Sequence, residues 1–152
     1  MILRIFLFLV INFAALGIGG YFTGKGVPSE WYASLNKAPW TPPGWVFGAA
    51  WTSIMICFAI YMAFAVKIVR NLRVLIILFS LQWVLNVLWN PIFFYFHHVA
   101  TGLVIITALT ILIALFCFRY WSNLKAKSAL ILPYLIWMII ATSLNAYILW
   151  NN

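Results

Sequence analysis

Long apolar runs separated by short polar breaks dominate this chain. Five of them reach from Ile5 to Phe22, Val46 to Val66, Val74 to Phe96, Thr101 to Phe118 and Ala129 to Trp150. Each has the roughly 17–25 residues that a helix needs to cross the hydrocarbon core of a bilayer. None contains Asp, Glu, Lys, Arg or His. Lipid offers no partner to a backbone N–H or C=O, so spanning elements are helices or closed barrels. These runs lack the alternation of barrel strands. The pattern predicts an all-α membrane protein, a compact bundle of five transmembrane helices. Short connections after helices two, three and four force antiparallel neighbours. One domain of residues 1–152 is expected, with spans at about 5–22, 46–66, 74–96, 101–118 and 129–150. A structured loop rich in aromatics and proline, about 23–45, follows the first helix. The first run is longer than a signal-peptide core and continues through Gly17, Gly19 and Gly20, so it reads as a retained helix.

Composition removes the soluble alternatives. The chain is 67% hydrophobic and 7% charged, against about 45–50% and 25% in soluble domains. The net charge is +8, and Glu30 is the single acidic residue. The basic residues lie between the apolar runs and not in one stripe, which argues against nucleic-acid binding. Arg4, Lys67, Arg70, Arg73, Arg119, Lys125 and Lys127 fall on one side of a five-helix topology, and Lys25 and Lys37 on the other. By the positive-inside rule the amino terminus is expected inside and the carboxyl terminus outside. With no carboxylate, amine, guanidinium or imidazole in any span, proton- or ion-coupled transport and conventional acid–base catalysis are disfavoured. Cys57 and Cys117 read as small buried hydrophobes. His97 and His98 have no Cys, Asp or Glu beside them and read as loop residues, so no metal site is expected.

The first loop is no ordinary linker. Residues 31–43 read Trp-Tyr-Ala-Ser-Leu-Asn-Lys-Ala-Pro-Trp-Thr-Pro-Pro. Three prolines stiffen it, and its aromatics suit either an interfacial anchor or a lid over a space between helix ends. Three helix faces are candidates to line such a space. Gln82, Asn86, Trp89 and Phe93 fall on one stripe at spacings of four, three and four. Trp137, Ala141, Leu144 and Ile148 form another, with Asn145 at its edge. Trp51, Met55, Phe58 and Met62 form a third. Amides in lipid must face inward. Gln82 reads as a bond to a neighbouring helix, and Asn86 beside Trp89 as a cavity wall. A large ring followed one turn later by Ala141 leaves a recess.

These motifs, taken together, resemble the translocator protein family, the tryptophan-rich sensory proteins or peripheral-type benzodiazepine receptors. The resemblance rests on Trp31-Tyr32-x-x-Leu35-x-Lys37, Trp40-x-Pro42-Pro43 and Trp51. Helix three adds Gln82-x-x-x-Asn86-x-x-Trp89-x-Pro91-x-Phe93-Phe94, and helix five adds Pro133-Tyr134-Leu135-x-Trp137, Ala141-Thr142 and Leu144-Asn145. It covers essentially the whole chain. One proline is displaced, at Lys37-Ala38-Pro39-Trp40. The resemblance implies a membrane receptor for porphyrins such as protoporphyrin IX or haem, as ligand and not as a required cofactor, acting in tetrapyrrole sensing, handling or transport. It implies Tyr32, Trp40, Pro42, Trp51, Asn86, Trp89, Phe93, Trp137, Ala141 and Leu144 as ligand-binding residues, and a homodimer. Two further functions come with it. One is light- and oxygen-dependent porphyrin degradation at Trp51 and Trp137. The other is sterol or lipid transport, against which the chain lacks a basic residue after Tyr147. The absence of a targeting extension fits a bacterial member in the cell membrane.

Overall fold

The computed structural model describes all residues, 1–152. Helix α1 spans Ile2–Gly26 and is followed by a short helix α2, Glu30–Ser34. Then come α3 (Gly44–Ile68), α4 (Leu72–Phe94) and α5 (Val99–Leu124). A 3₁₀ segment, Lys125–Ile131, leads into α6, Leu132–Asn151. The long helices α1, α3, α4, α5 and α6 are the five anticipated spans, and no strand is present. The helical stretch Val99–Asn151 is nearly unbroken along the chain, yet it makes two passes. Lys125 has φ 51° and ψ −128°, which reverses the path. The reversal shows in the pairing. Asn145 reaches Val99, whereas Thr142 and Met138 reach Thr110, so partners run in opposite directions.

Two helix starts are fixed by capping side chains. Asn71 caps α4, its Oδ1 accepting from the Val74 N–H at 3.1 Å. Ser29 caps α2 in the same way, accepting from the Tyr32 N–H at 3.2 Å. Pro43 precedes α3, where its missing N–H costs nothing. The third apolar run was expected to reach Phe96, but α4 ends at Phe94. Pro91 lacks an N–H and leaves the Val87 carbonyl without its usual helical partner. The chain then tightens onto the Pro91 carbonyl, which accepts from both Tyr95 and Phe96 at 2.9 Å, and turns at His97 with φ 56°. The loop after α1 is shorter than expected because α1 runs on through Gly26.

In the bundle α1 packs on α3 and α4, α4 on α5, α5 on α6, and α6 with the 3₁₀ segment back on α3. The ring is filled unevenly. Its basic end holds a dense aromatic core. Phe58 lies 5.3 Å from Tyr134, 5.8 Å from Phe116 and 6.0 Å from Tyr61 and Phe79, centre to centre. Ring pairs of this kind contribute about 0.5–1.5 kcal/mol beyond the area they bury. Met55, Phe58 and Met62, three of the four stripe positions on α3, are fully buried here. Polar side chains stitch the helices together. Gln82 Nε2 donates to the Tyr134 hydroxyl at 2.7 Å, Asn12 Nδ2 to the Met55 carbonyl at 3.2 Å, and Trp83 Nε1 to the Ile11 carbonyl at 3.0 Å. The loop end of the ring is hollow.

Candidate functional site: an aromatic cavity under the first loop

The hollow end contains a cavity of about 370 Å³. Three indoles line it, Trp51 from α3, Trp89 from α4 and Trp137 from α6, together with Phe47, Phe94, Tyr32, Ile106 and Ala141. The end of α1 and the turn after it contribute Thr23, Gly24, Val27 and Pro28. The floor rests on the aromatic core below. Trp51 meets Tyr134 edge-on at 5.9 Å, and Phe47 meets Trp137 edge-on at 5.3 Å. Ala141 lies one turn beyond Trp137, and the missing bulk there is part of the space.

The Trp89 wall is held from behind. Trp89 Nε1 donates to Asn145 Oδ1 at 3.0 Å, while Asn145 Nδ2 donates to the Val99 carbonyl at 3.1 Å. One buried amide therefore joins α4, α5 and α6. The Trp89 ring also stacks on Phe93 at 5.1 Å. Thr23 Oγ1 lies 2.8 Å from Asn90 Oδ1, tying α1 to α4 at the cavity rim. The Trp137 Nε1 is buried with no hydrogen-bond partner. This is an unused donor in the cavity wall, and buried donors are usually paired.

The loop is pinned over this space. The Tyr32 ring packs on Phe94 at 5.6 Å, and Trp31 packs on Phe93 at 5.6 Å while stacking on His97 at 4.0 Å. Lys37 Nζ donates to the Tyr32 carbonyl at 2.7 Å and lies over the Tyr32 ring. The Asn36 N–H donates to Asn152 Oδ1 at 2.8 Å, and Trp40 Nε1 donates to Ser143 Oγ at 3.1 Å. Burial raises the Tyr32 phenol above its ordinary value, so at neutral pH it is an uncharged donor. Lining groups are aromatic, aliphatic or hydroxyl-bearing, and no carboxylate or cation is among them. Such a surface can stack on flat rings and donate a few hydrogen bonds.

A family model described as TspO/MBR matches residues 6–151. The chain belongs to the TspO/MBR family. It is 39% identical over 139 residues to the tryptophan-rich protein TspO of Archaeoglobus fulgidus, covering 90% of this chain and 86% of that one. It is 34% identical over 118 residues to a tryptophan-rich sensory protein of Cereibacter sphaeroides, covering 78% and 74%. It is 30% identical over 144 residues to the translocator protein of Homo sapiens, covering 89% and 81%. The resemblance drawn from the loop and helix motifs is confirmed. Five apolar helices and this family make the chain an integral, multi-pass membrane protein.

Within this TspO/MBR chain the structure gathers Tyr32, Trp51, Trp89, Trp137 and Ala141 around this cavity. Phe93 and Leu144 line a small recess of about 50 Å³ beside it, which shares Tyr32, Trp89 and Ala141. Asn86 lies in another direction. It lines a recess of about 30 Å³ with Asn90, Gly19 and Trp51, where α1, α3 and α4 meet. Trp40 and Pro42 line none of these spaces. Trp40 is 54% exposed and leans edge-on against Tyr147 at 5.3 Å. Among residues not anticipated, Phe47 had a readable signal, since it precedes Trp51 by one turn on the same face. Thr23, Gly24, Val27 and Pro28 had none, being small or ordinary residues at a helix end.

Proposed function

We propose that this TspO/MBR member binds porphyrins, protoporphyrin IX or haem, in the cavity beneath the first loop, and serves tetrapyrrole sensing, handling or transport. The observation that carries this reading is the wall of three tryptophans, Trp51, Trp89 and Trp137, around about 370 Å³ of space free of charged groups. A flat conjugated ring finds stacking faces there, and an unpaired indole N–H at Trp137. Lys37, above the Tyr32 ring, is a cation at the rim for a ligand carboxylate. A sugar, or a ligand charged at the part that enters the cavity, would be desolvated with nothing to replace its water, whereas a porphyrin carries its charge on carboxylates at one edge. The concentration of basic residues at the closed end of the bundle supports an inside amino terminus and a lid that faces outward, in a bacterial cell membrane. A homodimer is the assembly we propose.

The test is titration of protoporphyrin IX into the detergent-solubilised protein, followed by tryptophan quenching, in the dark. Saturable binding is expected, weakened two- to tenfold by Trp51→Phe or Trp137→Phe, since an aromatic pair is worth about 0.5–1.5 kcal/mol beyond burial. Trp40→Phe, outside the cavity, is expected to bind as wild type does. Equal binding by all three variants would remove the cavity as the site. The same samples under light separate binding from degradation. A porphyrin product that disappears in Trp51→Phe or Trp137→Phe while dark binding persists would assign redox chemistry to those rings.

A further inference from the structure

At the opposite, basic end of the bundle the structure brings two guanidinium groups into one cleft. Arg70 follows α3, and Arg119 lies in the last turns of α5. Both line a depression of about 300 Å³ together with Asn71, Asn123, Val69 and Tyr120. Neither arginine donates a hydrogen bond to the protein, and neither has a carboxylate to pair with. The sole acidic residue, Glu30, sits in α2 at the other end of the bundle. Asn71 uses its oxygen to cap α4, which leaves its Nδ2 free to donate. The cleft therefore presents two planar cations and amide donors with no carboxylate among its lining residues. The Arg119 guanidinium also lies 5.9 Å from the centre of the Tyr120 ring, which forms the back wall. Orientation by the positive-inside rule requires basic residues on this side, but it does not require one after α3 and one on α5 to converge on one concavity.

We propose that this cleft binds the phosphate of an anionic phospholipid headgroup. Guanidinium groups match phosphate oxygens in paired N–H donation, and basic depressions between helix ends on this side of a membrane protein suit anionic headgroups. The surroundings favour a lipid over a soluble phosphate. The cleft lies at helix ends, where headgroups stand. Leu72, Phe118 and Trp121, each next in the chain to a lining residue, are 42%, 75% and 47% exposed, offering apolar surface to acyl chains. The proposal is independent of the ligand in the aromatic cavity.

The test uses the full chain in nanodiscs of phosphatidylcholine doped with spin-labelled phosphatidylglycerol, reading the immobilised lipid fraction. Arg70→Gln and Arg119→Gln are each expected to weaken phosphatidylglycerol association fivefold or more. Arg73→Gln and Lys127→Gln remove the same charge outside the cleft and are expected to change it less than twofold. Asn123→Ala, at an exposed position, is expected to weaken it about twofold without disturbing the fold, which circular dichroism in pure phosphatidylcholine checks for every variant. If Arg73→Gln and Lys127→Gln act as strongly as the cleft variants, the effect is general charge attraction and the proposal fails. If millimolar inorganic phosphate or glycerol phosphate displaces the labelled lipid, the cleft is a site for a soluble phosphate and the assignment to lipid is overturned.

Discussion

Asn145 is the residue whose removal tests the architecture of the cavity most directly. Its side chain is 1% exposed, on α6, and carries two bonds at once, one from the Trp89 indole at 3.0 Å and one to the Val99 carbonyl at 3.1 Å. Gly102 on α5 makes room for it, since a Cβ there would stand 3.2 Å from Asn145 Oδ1. Hydrogen bonds between membrane helices average about 0.6 kcal/mol, with a maximum near 1.7. Asn145→Ala removes two, about 1.2 kcal/mol, and strands the Trp89 N–H, which adds about 1–2 kcal/mol. The Val99 carbonyl is at a helix start and keeps its backbone partner. The expected loss is thus about 2–3 kcal/mol. Reversible unfolding in mixed micelles, followed by helicity, would measure it. A double-mutant cycle with Trp89→Phe isolates the shared bond, with an expected coupling of about 0.5–1.5 kcal/mol. Porphyrin affinity should fall in either single variant and little further in the double, because both release the same wall. A coupling within about 0.3 kcal/mol of zero would refute the idea that this bond positions the indole.

Other variants probe separate parts of the same design. Gly26→Ala places a Cβ into the Phe94 ring, which forms part of the cavity wall; a destabilisation of about 1–3 kcal/mol is expected from thermal unfolding, together with weaker ligand binding. Ala141→Leu should fill the recess beside Trp137, abolishing quenching by protoporphyrin while the unfolding midpoint holds or rises. Tyr134→Phe leaves the Gln82 amide without its 2.7 Å partner and should cost about 0.6–1.7 kcal/mol in micelle unfolding, much of it recovered in the Gln82→Leu double variant. Burial raises the Tyr32 phenol, so the folded loop prefers the neutral form. Its contribution is complete below the ordinary tyrosine value near pH 10 and is lost as pH rises through the higher folded value. Loop opening, read by proteolysis between α1 and α3, should therefore increase only in that alkaline range and not in Tyr32→Phe.

The spans were legible because a bilayer filters for one property, some twenty apolar residues in a row, and the chain meets it five times. Their ends were not, because local backbone chemistry acts there. Pro91 and the turn at His97 stop α4 two residues before the apolar run does. Ala129, Leu130 and Ile131 are as hydrophobic as any span yet sit in the 3₁₀ segment that reverses the chain, a distinction hydropathy does not carry. The cavity was legible where large rings recur at helical spacing, as at Trp51, Trp89 and Trp137. It was illegible along α1, which contributes Thr23 and the absence of bulk at Gly24. The loop aromatics divide in a way spacing does not reveal. Tyr32 turns down over Phe94, whereas Trp40 finds Ser143 on the outside of α6 and stays exposed.

The uneven filling of the bundle has a consequence in time. Amides near Phe58, Tyr61 and Phe116 are shielded by close-packed rings and can exchange with solvent only when most of the fold opens. Amides around Thr23, Phe94 and Ala141 border empty volume, so small local fluctuations are enough to expose them. The molecule should therefore show two exchange regimes along the same helices, slow at the basic end and fast beneath the loop. A ligand that fills the space would slow the fast set and leave the slow one as it was, which makes occupancy visible as a change of rhythm at one end of the bundle.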